Sequence, residues 1–495
     1  MTTHLHTPHE AANWLRARVT GSLYADSRSV KSGDGFIAWP GAARDARQYV
    51  GLVLDEGANA CLVDSDGVEE YEFANEKIAC YPHLKSAAAL IASAYFEEPS
   101  KQLQTVAITG TNGKTSTAWW LAYALGKLNC QCGMVGTFGI GGPGAIIFNG
   151  LTTPDPVLLQ QQLRRFVDVG FTACAIEASS IGIAEHRLDG MHFQVAVFTN
   201  FTQDHLDYHG SMQNYWAAKA SLFNWPGLQS AVINIDDERG LDLSLQLKAS
   251  SMDVWTVAIN APARLQAQAI EQHTGSLTFE VVEGSQREKV ATPAIGLYNV
   301  SNLLGVMGAM RALGVPLADA ARASCDLPAV PGRLNTLGEP GTPLVVIDYA
   351  HTPDALEKVL LALRPVAQAK RGQLWCVFGC GGDRDASKRP LMAQAAQTNA
   401  DQIVVTSDNP RSEDANSIVD QILLGLKDRE SVHVQIDRAL AIAQTIAKAK
   451  PEDVVLLAGK GHEDYQEISG VKLPFVDQRH AQVAISARSH TKALP

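Results

Sequence analysis

The chain has 495 residues, of which 46% are hydrophobic and 19% are charged, and its formal net charge is −11. This balance is typical of globular proteins and argues against a large disordered protein. The excess of acidic residues argues against a general nucleic-acid-binding protein, which would carry an overall positive field. At about 150 residues per domain, the length predicts about three domains.

The cysteines and the apolar runs indicate the compartment. The eight cysteines include no C-x-x-C pair and no zinc-ligand spacing, and most lie in apolar stretches. Reduced thiols of this kind are expected in a cytoplasmic protein. The first ten residues lack the charged head and apolar core of a secretory signal, and no apolar run approaches the roughly 20 residues that span a bilayer. We therefore expect a cytoplasmic protein without a membrane partner.

The predicted elements begin with short apolar stretches in residues 1–100, which end at Pro99-Ser100 after a helical pattern. A strand at 103–109 then leads through a glycine turn into a helical pattern at 114–128. Further strands are predicted at 172–178, 195–200 and 231–236. Helical patterns lie between some of them. This alternation favours a parallel α/β sheet, and shorter strands around 253–290 predict an antiparallel extension of it.

A second hinge is predicted at Pro328–Gly332. Beyond it, helical patterns alternate with strand candidates at 344–350, 374–380, 402–408 and 453–459. This pattern predicts a separate doubly wound α/β domain. The resulting division of the chain is 1–100, 101–333 and 334–495.

The strongest local signal is a glycine-rich turn between a predicted strand and a predicted helix, formed by Gly110, Thr111, Asn112, Gly113, Lys114, Thr115 and Ser116. Glycines let backbone N–H groups face a phosphate, and the helix N-terminus attracts the anion. The lysine suits the β- and γ-phosphates and the threonine hydroxyl suits Mg²⁺. The full G-x-x-x-x-G-K-[ST] pattern would place glycine at Ile108, so the loop is a shortened relative. A chance lysine after a glycine turn is the alternative.

Glu177 and His205 follow two of the predicted strands. A carboxylate and an imidazole near a phosphate loop are suited to hold Mg²⁺ or its water. Each residue taken alone is equally compatible with a structural role.

The motifs, taken in order, resemble those of the Mur ligase family, the ATP-dependent amino-acid-adding enzymes of peptidoglycan synthesis. They are DSR at 26–28, GTNGKTS at 110–116, TTPDP at 152–156, EASS at 177–180, DHLDYHG at 204–210, NIDD at 234–237, GLYNVSN at 296–302, PGR at 331–333, DYAHTPDAL, GCGGDRD, SDNPRSE and GKGHE. The resemblance implies a three-domain architecture: a UDP-sugar domain at 1–100, a central P-loop ATPase domain at 101–333, and a C-terminal Rossmann-like domain at 334–495.

The resemblance also implies the reaction and its cofactors. ATP and Mg²⁺ would convert the carboxylate of UDP-N-acetylmuramoyl-L-alanyl-D-glutamate into an acyl phosphate, which an amino acid's amine then attacks. Thr115 and Glu177 would hold one Mg²⁺ and His205 a second, with a carbamylated Lys219. The remaining nucleotide contacts would come from Asn299, Asn302, Arg333, Asp348 and His351. Contacts to the sugar-peptide would come from Ser27, Arg28, Thr152, Thr153, Ser179, Glu185 and Arg187.

The segment Asp408-Asn409-Pro410-Arg411 bears on which amino acid is added. In the family this DNPR form accompanies meso-diaminopimelate, which is a lysine with a second carboxylate. A guanidinium can grip that carboxylate, whereas it would repel the terminal ammonium of lysine. By the same resemblance, the other contacts would be Arg384, Gly459 and Glu463, of which the glutamate would pair with the distal ammonium.

Three positions depart from the usual family pattern, namely Ile181, Glu185 and Asn335. They leave the detail of the sugar-peptide pocket open. The alternatives are a lysine-adding member of the family, a folylpolyglutamate-synthase-like ligase and a catalytically silent nucleotide-binding scaffold. A monomer with small-molecule substrates is expected.

Overall fold

The computed structural model describes residues 3–41, 44–273, 276–428 and 432–491, with side chains as far as Arg488. Three sheets follow one another along the chain, and each is covered by helices. None of the described helices is long and apolar enough to cross a membrane.

The first sheet is parallel throughout and has the order β1-β5-β4-β3-β2. Its strands are β1 Thr3–His4, β2 Leu23–Tyr24, β3 Gly35–Ala38, β4 Ala60–Asp64 and β5 Ile78–Tyr81. The accompanying helices are α1 Pro8–Arg16, α2 Val50–Asp55 and α3 Leu84–Tyr95, with 3₁₀ turns at Ser27–Ser29, Ala46–Tyr49, Val68–Tyr71 and Pro99–Gln102. α1 begins where the Thr7 hydroxyl accepts a hydrogen bond from the backbone N–H of Glu10, a helix cap that the following proline favours.

The central sheet has the order β16-β15-β14-β13-β12-β11-β6-β10-β7-β8-β9. Its strands are β6 Gln104–Thr109, β7 Cys132–Gly136, β8 Gly139–Gly142, β9 Ala145–Ile147, β10 Ala173–Glu177, β11 Val195–Phe198, β12 Ser230–Asn234, β13 Asp253–Ala258, β14 Leu265–His273, β15 Ser276–Glu283 and β16 Gln286–Thr292. Its helices are α4 Lys114–Lys127, α5 Pro156–Asp168, α6 Ser180–Ala184, α7 Leu206–His209, α8 Met212–Ala220, α9 Glu238–Leu247, α10 Leu297–Ala312 and α11 Leu317–Ser324, with a 3₁₀ turn at Ser221–Asn224.

The middle strands of this sheet are parallel and their side chains are almost entirely buried, as expected when helices cover both faces. The antiparallel extension predicted at 253–290 is formed by β14, β15 and β16. β13 differs, because it follows the α9 crossover and pairs in parallel with β12.

The C-terminal sheet has the order β17-β18-β22-β19-β20-β21 and is parallel except at β17. Its strands are β17 Asn335–Leu337, β18 Leu344–Asp348, β19 Leu374–Phe378, β20 Gln402–Val405, β21 Val432–Val434 and β22 Val454–Ala458, and a separate hairpin joins β23 Tyr465–Ile468 to β24 Val471–Pro474. The helices are α12 Pro353–Lys370, α13 Lys388–Asn399, α14 Ala415–Leu423, α15 Arg438–Lys448 and α16 Asp477–Thr491.

The boundaries near residues 100 and 333 stay predictions. The first lies between α3 and β6, and the second between α11 and β17. The carboxyl ends of the parallel strands in the second and third sheets carry the loops described next, the position where ligands bind in such folds.

Candidate active site

The phosphate loop lies between β6 and α4. Its glycines are required because neighbouring residues pack directly against the loop backbone. Gly110 has φ +143°, and a Cβ atom there would lie 1.9 Å from the Thr199 hydroxyl oxygen. Gly113 has φ +87°, and a Cβ atom there would lie 2.3 Å from Asn302 Oδ1. A side chain at either position would force these neighbours apart, so the loop conformation depends on glycine.

Lys114, the first residue of α4, turns back over the loop. Its Nζ donates hydrogen bonds to the carbonyl oxygens of Gly110 at 2.9 Å and Thr111 at 2.8 Å. Shielding from water lowers its pKa, while the charges of Glu177 and Asp204 act in the opposite direction. The ammonium is thus held at the mouth of the loop, where an anion would meet it.

Glu177 ends β10 directly beneath this loop and is completely buried. Its carboxylate accepts hydrogen bonds from the Thr115 hydroxyl at 2.9 Å and from the backbone N–H of Thr137 at 2.9 Å. Burial raises its pKa, and Lys114 counteracts that shift. A carboxylate in contact with a hydroxyl is an oxygen donor pair of the type that suits Mg²⁺. In the described ranges, no group of three or more His, Cys, Asp or Glu residues is placed to hold a metal.

Lys219 and His205 approach the loop from the other side. The buried Nζ of Lys219 donates to the Gly110 carbonyl at 2.7 Å and lies 4.4 Å from the centre of the Tyr215 ring. Burial, reinforced by the charge of Lys114, holds the pKa of Lys219 well below its ordinary value. Shielding from water likewise lowers the pKa of His205 to about 4, against the opposing charge of Asp204. His205 is therefore neutral near pH 7, and its surroundings also disfavour the charged form of Lys219.

A cavity of about 580 Å³ opens from the phosphate loop. The residues predicted to contact the nucleotide all border it: Asn299, Asn302, Arg333, Asp348 and His351. Asn302 donates to Asn299 Oδ1 at 3.2 Å, and the Asp348 carboxylate accepts from the backbone N–H groups of Leu334 and Ala350. Asp348 thereby joins the segment that follows the hinge to the loop that follows β18.

A second cavity, of about 570 Å³, meets the first at Thr152, Ser179, Asp204, His205 and His351. It is bordered by most of the residues predicted for the sugar-peptide and the amino acid, namely Thr152, Thr153, Ser179, Arg187, Arg384, Asp408, Asn409, Arg411, Gly459 and Glu463. The structure thus brings together groups from two of the three sheets around one continuous space.

Within this cavity, the Thr153 hydroxyl contacts Ser179 Oγ at 2.9 Å, and Arg187 donates to the Thr153 carbonyl at 2.9 Å. At the far end, Arg411 has φ +52° and its NH1 donates to the Gly382 carbonyl at 2.7 Å. Arg384, whose NH1 donates to the Asp383 carbonyl, is the more exposed of the two arginines. Guanidinium groups at one end and hydroxyls at the other suit a ligand with carboxylates.

Five predicted contact residues do not border the two cavities: Ser27, Arg28, Gly110, Glu185 and Pro410. Ser27 and Arg28 lie in the first structural unit, where the exposed Arg28 guanidinium pairs with Asp26 at 2.6 Å. Glu185 instead accepts from the Tyr208 hydroxyl and pairs with Lys85 of the first unit.

The positions that depart from the family pattern are distributed differently. Ile181 borders the second cavity. Asn335 begins β17 and borders a smaller space behind the hinge. Glu185 forms an ion pair with Lys85 of the first unit. A glutamine at this position would have no charge with which to form it.

Sequence reasoning missed Asp204, Lys388 and Lys460. Asp204 and Lys388 are both buried, and the Lys388 Nζ lies 3.5 Å from Asp204 Oδ1 across two structural units. Asp204 directly precedes His205 in the DHLDYHG motif, which is the signal that could have drawn attention to it. Lys388 follows the GGDRD loop, and no spacing in the sequence pairs it with a residue 184 positions earlier.

Comparisons with known proteins agree with this architecture. Residues 108–310 match the profile of the Mur ligase middle domain, and residues 332–461 match that of the Mur ligase glutamate ligase domain. The UDP-N-acetylmuramoyl-L-alanyl-D-glutamate–2,6-diaminopimelate ligase of Acidovorax sp. (strain JS42) is 56% identical over 492 residues and the match covers 98% of each chain. The enzyme of that name from Janthinobacterium sp. (strain Marseille) is 47% identical, with 96% of each chain covered.

Solved structures give the same result. A ligase of that same name superimposes with a TM-score of 0.64 at 33% identity, and the match covers 95% of each chain. The MurF ligase of Thermotoga maritima in complex with ADP gives a TM-score of 0.67 at 17% identity, covering 96% of this chain and 99% of that one, which shows a shared fold.

The fold and the two joined cavities define a multidomain α/β protein built to hold a nucleotide beside a second ligand. The chain belongs to the Mur ligase family. The family and the fold predicted from the sequence are thereby confirmed.

Proposed function

We propose that this chain catalyses the ATP-dependent addition of meso-2,6-diaminopimelate to UDP-N-acetylmuramoyl-L-alanyl-D-glutamate, forming ADP and phosphate. The prediction of a diaminopimelate-adding ligase is confirmed by relatives of that name at 43–56% identity over nearly the whole chain. The observation that carries the proposal is the junction of the two cavities at Asp204 and His205, with the phosphate loop on one side and Arg411 on the other.

In the first step, a carboxylate oxygen of the glutamyl residue attacks the γ-phosphorus of ATP. The bond from that phosphorus to the β-phosphate oxygen breaks, and an acyl phosphate and ADP result. Lys114 faces the phosphates, and its fixed charge offsets the negative charge that builds up on the transferred group. Thr152 and Ser179, at the cavity junction, are placed to align the acceptor.

Mg²⁺ is the cofactor that the family and the donor groups imply. Thr115 and Glu177 would hold one ion against the phosphates, and His205 with carbamylated Lys219 would hold a second. Bound there, the ions would neutralise phosphate charge. Carbamylation requires the neutral amine, which attacks CO₂ and releases a proton, and the burial that lowers the pKa of Lys219 promotes that form.

In the second step, the neutral amine of diaminopimelate attacks the acyl carbon. The tetrahedral intermediate expels phosphate and the nitrogen loses a proton, leaving an amide. Arg411 and Arg384 would bind the distal carboxylate of the amino acid, and Glu463, to which Asn409 donates a hydrogen bond, its distal ammonium. Lysine lacks that carboxylate, so it would form no ion pair with the two guanidinium groups, and they would repel its terminal ammonium.

Phosphate release separates this proposal from its alternatives. The protein is incubated with ATP, Mg²⁺, the UDP-muramoyl-dipeptide and one amino acid at a time, and the product is identified by its mass. Release with meso-diaminopimelate alone supports the proposal. Release with lysine identifies the lysine-adding activity, release with a folate and glutamate the folylpolyglutamate-type activity, and no release with any pair a silent scaffold.

The intermediate has its own test. When the acceptor carboxylate carries heavy oxygen, one labelled atom must appear in the released phosphate, because the acyl–oxygen bond breaks in the second step. Unlabelled phosphate would contradict the acyl-phosphate route.

A further inference from the structure

Lys460 lies in the turn after β22, beneath the amino-acid end of the second cavity, and it has no exposed surface. Its Nζ is 2.9 Å from Glu463 Oε2 and 3.0 Å from Asn409 Oδ1. It does not border the cavity itself. A buried ammonium is tolerated only when its charge is paired, so these two contacts hold it in place.

Two carboxylates meet at this point. Burial and the negative charge of Asp408 raise the pKa of Glu463, while Lys460 lowers it. For Asp408, burial opposes ionisation, but the charges of Lys460 and Arg438 outweigh it and keep the pKa below its ordinary value. Without Lys460, the buried Asp408 and the half-buried Glu463 would repel each other with less cationic compensation, and one of them would take up a proton more readily.

The charged and titratable groups packed around this pair come from several elements. Arg438 begins α15 and binds Asp477 of α16 at 2.6 Å, so that its charge is largely compensated. The other groups are Arg411 after β20, His462 beside Lys460, Tyr465 of β23 and Tyr349 after β18. Lys460 is the cation that directly contacts Glu463 in the described part of the chain.

Lys460 also sets the orientation of Asn409. Because an ammonium can only donate, the amide oxygen of Asn409 must face it. That oxygen accepts a second hydrogen bond from the backbone N–H of Glu467 at 3.0 Å, and the amide nitrogen donates to Glu463 Oε2 at 2.8 Å. Among the described residues, the hydrogen bonds to the Glu463 carboxylate go to Oε2. Its other oxygen is therefore available toward the cavity that Glu463 borders.

We propose that Lys460 is a positioning residue for amino-acid selection: it pairs with the Glu463 carboxylate and orients Asn409, so that the cavity binds the cationic amine of a diamino diacid. This inference rests on the proposed function. Lys460 acts through Glu463. We therefore expect its replacement to weaken binding of the amino acid and to leave the binding of ATP and of the sugar-peptide unchanged.

The test compares Lys460→Met with Lys460→Arg between about pH 6.5 and 8.5, a range in which free carboxylates are fully ionised. In the methionine variant we expect the KM for meso-diaminopimelate to rise about tenfold or more at the acidic end. The KM should return toward the unmodified value as pH increases, because Glu463, whose pKa we expect to be higher in this variant, then loses its proton. The arginine variant should restore most of the affinity, and the KM for ATP should stay within about twofold.

A double variant keeps the inference testable if Lys460→Met folds poorly. Glu463→Gln removes the carboxylate, and Lys460→Met/Glu463→Gln leaves neither an unpaired lysine nor an unpaired glutamate. If Lys460 acts through Glu463, the double variant should match Glu463→Gln in its KM for diaminopimelate and both should lack the pH dependence. An additional loss in the double variant would overturn the inference.

Assays of the unmodified enzyme distinguish failure of the proposed function from failure of the proposed role of Lys460. No phosphate release with meso-diaminopimelate would remove the proposed function. Normal release, together with a KM in Lys460→Met that equals the unmodified value at every pH, would remove only the role of Lys460.

Discussion

Lys388 and Asp204 form a buried ion pair between the central and C-terminal units, with 3.5 Å between Nζ and Oδ1. Asp204 also lies 3.4 Å from His205 Nε2 and 3.8 Å from His351 Nε2. The pair stands where the two cavities join, the point at which phosphate, carboxylate and amine must meet. We therefore expect this contact, together with the hydrogen bonds from Gln203 to Asp385 and Ser387, to set the relative position of the nucleotide and the amino acid.

Replacing Lys388 with alanine should lower kcat by about a hundredfold, because the loss leaves Asp204 buried without its lysine partner and allows the two units to shift. Steady-state kinetics check this, with Lys388→Arg as the charge-preserving control. An alanine variant with unchanged kcat would show that the pair does not align the reactants.

Acid should weaken the same contact. Burial raises the pKa of Asp204, but Lys388, His205 and His351 outweigh burial and hold the pKa below its ordinary value. A group with a depressed folded-state pKa contributes stability that is fully present above its unfolded pKa, about 4, and is lost as pH falls toward the folded value. The difference in melting temperature between the unmodified protein and Asp204→Asn should thus be largest above about pH 5 and shrink at lower pH. A difference that is constant with pH would contradict this.

Lys114→Ala should abolish turnover while leaving the fold intact. The side chain bonds to two carbonyls of a loop that the glycine backbone already shapes, so its main role is to face the phosphates. Phosphate release gives the activity, and circular dichroism with thermal melting gives the fold. Retained turnover would remove the proposed phosphate contact.

Arg411→Ala should weaken meso-diaminopimelate binding by about 2–4 kcal/mol, as expected when a desolvated charge pair is broken. The KM for ATP should change little, because Arg411 does not border the nucleotide cavity. Arg411→Lys keeps the charge but loses the bidentate geometry of the guanidinium. Its affinity for meso-diaminopimelate should therefore lie between those of the unmodified protein and Arg411→Ala. An equal loss for both substrates would mean that the arginine acts through the fold, by way of its hydrogen bond to the Gly382 carbonyl.

Carbamylation of Lys219 should make turnover depend on CO₂. In degassed buffer without bicarbonate, we expect activity to decline and to return when bicarbonate is added, because a lysine amine in its neutral form takes up CO₂ reversibly. Lys219→Ala should be inactive in both conditions. Carbon NMR with labelled bicarbonate should show a carbamate signal in the unmodified protein and none in the variant.

Most of the strands and helices that carry the phosphate loop were predictable, since continuous apolar runs alternate with helical patterns there. β6 and α4 lie within one residue of the predicted 103–109 and 114–128. The short strands β7, β8 and β9 were not predicted, because glycine-rich segments such as 139–142 carry no hydrophobic period.

By itself, the sequence determined the family, the α/β class and the phosphate loop, because motifs such as GTNGKTS act through backbone conformation and local spacing. Only the tertiary structure decided which distant charges meet. Lys388 approaches Asp204, Lys460 approaches Glu463 beneath Asn409, and Glu185 turns toward Lys85 and away from the cavity. The physical reason is that an ion pair between separate elements depends on how the sheets and helices pack. The position of a charged residue in the linear sequence does not indicate which distant residue it will contact.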